Sequence, residues 1–133
     1  MRILLPLIAL LIAAPAAAQR EPEWRAAQEY DVLLRPWAYE PSLIRLPANQ
    51  PVRLHFVNQS RATMAFSAPD FFRAARLRPR DSDIARRGGF RLAPGERRYV
   101  ALVATPGRYR ARSSNLIHRA LGMSAEIIVE QAP

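Results

Sequence analysis

The chain contains no cysteine. It can form no disulfide, offers no thiolate to a metal and has no thiol nucleophile. Lysine is also absent, so all twenty basic residues are arginines, set against eleven acids for a formal net charge of +9. There are only two histidines, which excludes a three-histidine metal site. No Ser-His-Asp constellation sits on a recognisable elbow, no HExxH pair occurs, and the acids are too scattered to work as a catalytic couple. The expectation is a protein that is not an enzyme. No long amphipathic helix and no internal repeat appear, which excludes a helical bundle or a Rossmann fold.

The one long apolar run is at the start. Met1-Arg2 is followed by Ile3 to Ala14, broken only by Pro6, and then by Ala16-Ala17-Ala18 before Gln19. A short positive start, an apolar stretch and small residues at the cut describe a secretory signal. The run is short for a membrane span of about 20 residues. Residues 1–18 therefore read as a signal peptide, 19–28 as a polar lead-in that is partly helical, and 29–131 as one domain. The expected location is periplasmic or secreted, with no stable membrane span after cleavage. Export argues against a nucleic-acid partner, and no aromatic-interleaved basic stripe supports one. The arginine excess reads first as a solvated surface and second as a docking face for an acidic partner.

From Glu29 onward the pattern is that of short strands. Tyr30 to Leu34 and Leu43 to Leu46 are candidates. In Pro51 to Val57, the residues Val52, Leu54 and Phe56 alternate with Arg53 and His55. Thr63 to Ser67 aims Met64 and Phe66 to one side. Asp70 to Ala75 reads as a helical turn, and 76–89, charged and ending in Gly-Gly, reads as a mobile loop. Phe90 to Leu92, Arg98 to Ala104 and Arg108 to Ser113 are further strands, separated by turns at Ala93-Pro94-Gly95-Glu96 and Thr105-Pro106-Gly107. In the last strand, Ser124 to Glu130, Ala125, Ile127 and Val129 oppose Glu126 and Glu130. Closely spaced short strands with Pro/Gly turns predict an all-β Greek-key sandwich. Because Arg108, Arg110 and Arg112 must face water, the alternation turns Tyr109, Ala111 and Ser113 inward.

Four stretches together resemble the cupredoxin superfamily, in particular its small bacterial periplasmic members. Trp37 to Leu46 is similar to the aromatic-x-Pro lead into an early strand, and Pro47 to Leu54 to the turn and core strand after it. Asn58-Gln59-Ser60 with Met64-Ala65-Phe66 resembles the stretch Asn-x-Ser-x-x-x-His-x-Phe that carries a first copper ligand. Pro94-Gly95-Glu96, Thr105 to Tyr109 and the tail Ser113 to Met123 resemble the last third, where the family has Gly-x-Tyr-x-x-x-Cys, a loop His and then Met. The resemblance runs from about Tyr30 to Glu130. It implies ligand positions at Met64, Ser113, His118 and Met123. His118 and Met123 keep the family's ligand types, Met64 replaces a histidine with a thioether, and Ser113 replaces the thiolate.

The resemblance thus implies a cupredoxin-like protein with an altered, cysteine-free copper site. Two thioethers and one imidazole form a soft, neutral set suited to Cu(I) and poorly suited to zinc. The expected function is Cu(I) carriage or buffering through Met64, His118 and Met123, with copper passed from a donor to an acceptor protein of the envelope. The chain is expected to act as a monomer. Each ligand has an ordinary alternative: Met64 and Met123 as core filling, His118 as a surface residue, Ser113 as a satisfied inward hydroxyl. His55 reads as structural or exposed, and Trp37 as core. The competing function is a metal-free cupredoxin-fold binding or assembly module that uses the arginine-rich surface.

Overall fold

A computed structural model describes residues 20–115 and 122–131. The 1–18 segment lies outside the described residues. In the lead-in, a single 3-10 turn at Trp24–Ala26 precedes the first strand.

Among the described residues, ten strands and two short helices follow in chain order. They are β1 (Gln28–Arg35), β2 (Ala38–Glu40), β3 (Leu43–Pro47), β4 (Pro51–Asn58), β5 (Met64–Ser67), α1 (Pro69–Ala74), β6 (Arg76–Leu77), α2 (Asp83–Arg87), β7 (Gly89–Leu92), β8 (Arg97–Val103), β9 (Gly107–Arg112) and β10 (Ser124–Glu130). One sheet has the order β2-β1-β4-β8-β6 and the other β3-β10-β9-β5-β7. Two parallel pairings, β1 with β4 and β3 with β10, sit among antiparallel ones. This is the all-β sandwich expected from the sequence.

The alternation explains which faces meet. Val52, Leu54 and Phe56 of β4 are fully buried, as are Val32 and Leu34 of β1 and Val100 and Leu102 of β8. From the second sheet come Phe66, Leu92, Ala111 and Ile127. Aromatic rings join the layers. Phe56 lies 4.8 Å from both Phe66 and Phe90, and Tyr39 meets Phe66 edge-on at 5.3 Å. Such tilted and edge-on contacts add about 0.5–1.5 kcal/mol per pair beyond simple burial.

Two expectations are corrected here. The 76–89 stretch is not a featureless loop: it holds β6, a 3-10 turn at Pro79–Asp81 and α2. Its anchors are Ile84, fully buried, and the Asp81 carboxylate, which accepts from Arg78 Nε at 3.0 Å and from the Ala101 amide at 3.1 Å. Gly88 then ends α2 in the left-handed region (φ 75°), and Gly89 passes against β5 so closely that a Cβ there would meet the Phe66 carbonyl oxygen at 2.1 Å. Trp37 is the second correction. It is 53% exposed, at a turn where its own φ is 64°. The tight β1–β2 connection turns the indole outward, so it is no core residue.

Candidate metal centre

The pairing pattern brings several chain positions to one end of the sandwich. β9 lies between β5 and β10 and runs antiparallel to both. The end of β9 therefore meets the start of β10 at Ser124 and the end of β5 at Ser67, so the chain beyond Arg112 runs back along β5 toward Met64. Ser113 stands just past that end, Met64 opens β5, and Met123 immediately precedes β10. The Ser113 amide faces the Met123 carbonyl at 3.4 Å. Met64 is 2% exposed, while Ser113 and Met123 are completely buried. Both thioethers belong to the same core cluster, one in β5 and one at the entry to β10, the two neighbours of β9.

The loop before β5 is fixed by Asn58, itself buried. Its Nδ2 donates to the carbonyls of Ala62 (2.8 Å), Leu92 (2.9 Å) and Ala93 (3.1 Å), and its Oδ1 accepts from the Ser60 amide and hydroxyl at 2.9 and 2.7 Å. A side chain with two donor hydrogens and a carbonyl oxygen is used to capacity. The path of 59–63, and so the start of β5, depends on it. Beside this loop is a cleft of about 340 Å³ lined by Pro36, Trp37, Ser60, Arg61, Ala62 and Met64. A smaller hollow of about 160 Å³ also reaches Met64, together with Thr63, Arg91 and Asn115. The Met64 side chain is thus buried yet borders two openings at this end.

Tyr39 closes the inner wall. Its hydroxyl donates to the Ala65 carbonyl. Burial pushes its ionisation well above the ordinary tyrosine value, and a hydrogen bond with the Ser113 side chain opposes that rise. The Ser113 Oγ also accepts from the Asn115 amide at 3.2 Å. Ser113 is therefore a hydrogen-bonded inward hydroxyl, as the alternation implied.

The donors at this end can be matched to a metal type. A blue-copper bond needs a thiolate, and the chain has none; Ser113, the position that the resemblance assigns to it, is a neutral hydroxyl already engaged in hydrogen bonds. Two buried thioethers remain, and these suit a soft d¹⁰ ion. His118, the third expected ligand, lies outside the described residues. Met64 and Met123 are both placed at this end.

One residue was read too simply from the sequence. His55 is buried, with its ring stacked on Tyr99 at 4.3 Å and 7°, and its Nδ1 lies 3.0 Å from Asp31. Its partners come from a strand 24 residues away and a parallel register, which no local pattern reveals.

The sheet order, the buried pole and the missing thiolate define a cupredoxin-like sandwich with an altered copper site. The family model for the cupredoxin-like domain matches residues 2–113, and the chain belongs to that family, a family of copper proteins. No curated protein sequence matches the chain. Among solved structures, auracyanin B is similar with a TM-score of 0.58 and 22% identity, over 78% of this chain and 89% of that one. The reduced auracyanin of the photosynthetic bacterium Roseiflexus castenholzii has a TM-score of 0.57 at 18% identity, over 81% and 99%. Auracyanin A, a "blue" copper protein from the green thermophilic photosynthetic bacterium Chloroflexus aurantiacus, has 0.54 at 13%, over 77% and 98%. At such identities the likeness is one of fold. The family match ends at Ser113, so His118 and Met123 fall beyond it.

Proposed function

We propose that this protein binds Cu(I) through Met64, His118 and Met123 and carries or buffers it in the cell envelope, without catalysing a reaction. The observation that carries the reading is the burial of two thioethers at the end of the sandwich where a serine stands at the position that the resemblance gives to a thiolate. Copper here is cargo. A thioether site without thiolate holds the reduced ion and does little for the oxidised one, so it is poorly suited to cycling between them. Thioethers need lose no proton to bind, so uptake varies little with pH above the range where His118 is neutral. The openings beside Met64 give a donor or acceptor protein access to the ion. We take the working form to be a periplasmic or secreted monomer.

The test is an anaerobic titration with Cu(I) against a chromophoric competitor. One equivalent binds to the wild type. Met64→Leu and Met123→Leu are near volume-conserving changes that cost less than about 1.5 kcal/mol of stability, yet each is expected to weaken Cu(I) by at least about tenfold, as His118→Ala is. Failure of the folded wild type to take up copper would leave the metal-free module as the reading. One observation favours that alternative: Arg91, Arg110 and Arg112 make no ion pair among the described residues, and the last two point out from β9, so the outer face of the second sheet carries uncompensated positive charge.

A further inference from the structure

On the outer face of the other sheet, away from the methionine pole, the parallel register of β1 and β4 sets Asp31 opposite His55 and Glu29 opposite Arg53. Glu29 and Asp31, two apart on β1, share a face with His55. Among the described residues these three are the one His/Asp/Glu group whose ligand atoms all lie within 4.8 Å of one another. His55 Nδ1 is 3.0 Å from Asp31 Oδ1 and 3.5 Å from Glu29 Oε1. We infer that Glu29, Asp31 and His55 form a separate binding site for a divalent transition-metal ion of the zinc or copper(II) class.

Geometry supports this. Zinc bonds to imidazole nitrogen and carboxylate oxygen are about 2.1 Å long, which places tetrahedral ligand atoms about 3.4 Å apart. The two separations from Nδ1 bracket that value. One nitrogen and two carboxylate oxygens make a harder set than the thioethers, so this site and the methionine pole select different ions.

The site is also braced from outside. Arg53 donates from its guanidinium to Glu29 Oε2 at 2.8 Å, leaving Oε1 turned toward His55. Tyr99 of β8 stacks on the imidazole and sits under the Arg53 guanidinium at 5.4 Å. The imidazole is nine-tenths buried, so its orientation is set before any ion arrives. Oriented carboxylates and a fixed ring are the supports that metal ligands require.

Binding has a cost. In the neutral ring the proton on Nδ1 faces Asp31, and an ion taking that position sends the proton to Nε2. That atom is buried and has no hydrogen-bond partner among the described residues. A buried unpaired donor of this kind lowers affinity by about tenfold or more.

The probes are zinc chloride and copper(II) chloride, titrated separately into the full chain and followed by calorimetry. His118→Ala serves as the background that removes the other imidazole. One equivalent is expected to bind in that background. Asp31→Asn and Glu29→Gln, both at side chains open to solvent, are each expected to weaken binding by at least about tenfold, the scale of losing a ligand or its support. Met64→Leu and Met123→Leu are expected to leave it unchanged. Absence of saturable binding up to about millimolar metal, wild-type affinity in both carboxylate variants, or loss of all binding with His118→Ala would overturn the proposal. None of these results bears on Cu(I) uptake at the methionine pole, which is measured separately.

Discussion

Replacing Asn58 by alanine removes the centre of the hydrogen-bond cluster that sets the path to Met64. The size of the effect comes from the partners. The Leu92 carbonyl, reached by a buried bond, is left without its donor, at about 1–3 kcal/mol. The bonds to Ala62, Ala93 and Ser60 are partly exposed. Water replaces much of them, and their combined net loss is about 1 kcal/mol. The total is about 2–4 kcal/mol. With a urea m-value of about 1.5 kcal/mol per molar for a domain of this size, the midpoint falls by about 2 M. Asn58→Asp should be worse, because a carboxylate then faces the same three carbonyl oxygens. The assay is equilibrium urea unfolding followed by far-ultraviolet circular dichroism, with both variants beside the wild type. A midpoint for Asn58→Ala within about 0.5 M of wild type, at unchanged m, would show that Asn58 does not fix the loop.

Three further outcomes are expected. Gly89→Ala drives a Cβ against the backbone of Phe66 and Ser67 and should cost at least about 3 kcal/mol, whereas Gly95→Ala, with open space around it but a φ of +75°, should cost about 1–2 kcal/mol; urea midpoints decide between equal and unequal losses. Tyr39→Phe leaves the Ala65 carbonyl without its partner and should cost about 1–2 kcal/mol at neutral pH. Because the folded state raises the Tyr39 ionisation above its ordinary value near 10, the protonated phenol is what the fold favours. That contribution is whole below about pH 10 and is lost as pH rises beyond it; unfolding midpoints across the alkaline range should therefore fall more steeply for the wild type than for Tyr39→Phe.

The strands were readable because their inner residues alternate cleanly, as in 52/54/56 and 125/127/129, and because Pro/Gly turns separate them. The same alternation placed Met64 and Ser113 inside. It could not tell a ligand from a filler, since packing and metal binding ask a methionine to point the same way. The 76–89 stretch was misread because its order depends on one buried isoleucine and on an acid that reaches across to the Ala101 amide, with no period to signal either. Trp37 was misread because an aromatic side chain suggests burial, while the backbone of a two-residue connection decides its direction. The Glu29, Asp31 and His55 group was invisible for a different reason: it exists only when β1 pairs in parallel with β4, which is a matter of topology.

The pairing of β3 with β10 fixes the order in which the molecule can be completed. β10 is the bridge between β3 and β9, and it lies some eighty residues downstream of β3, the kind of distant pairing that slows folding. While residues 124–130 are missing, Leu43–Pro47 has no neighbour in its layer and the edge of β9 that pairs with β10 is bare. A stalled or shortened chain would expose adhesive edges on both, making it a target for chaperones and proteases.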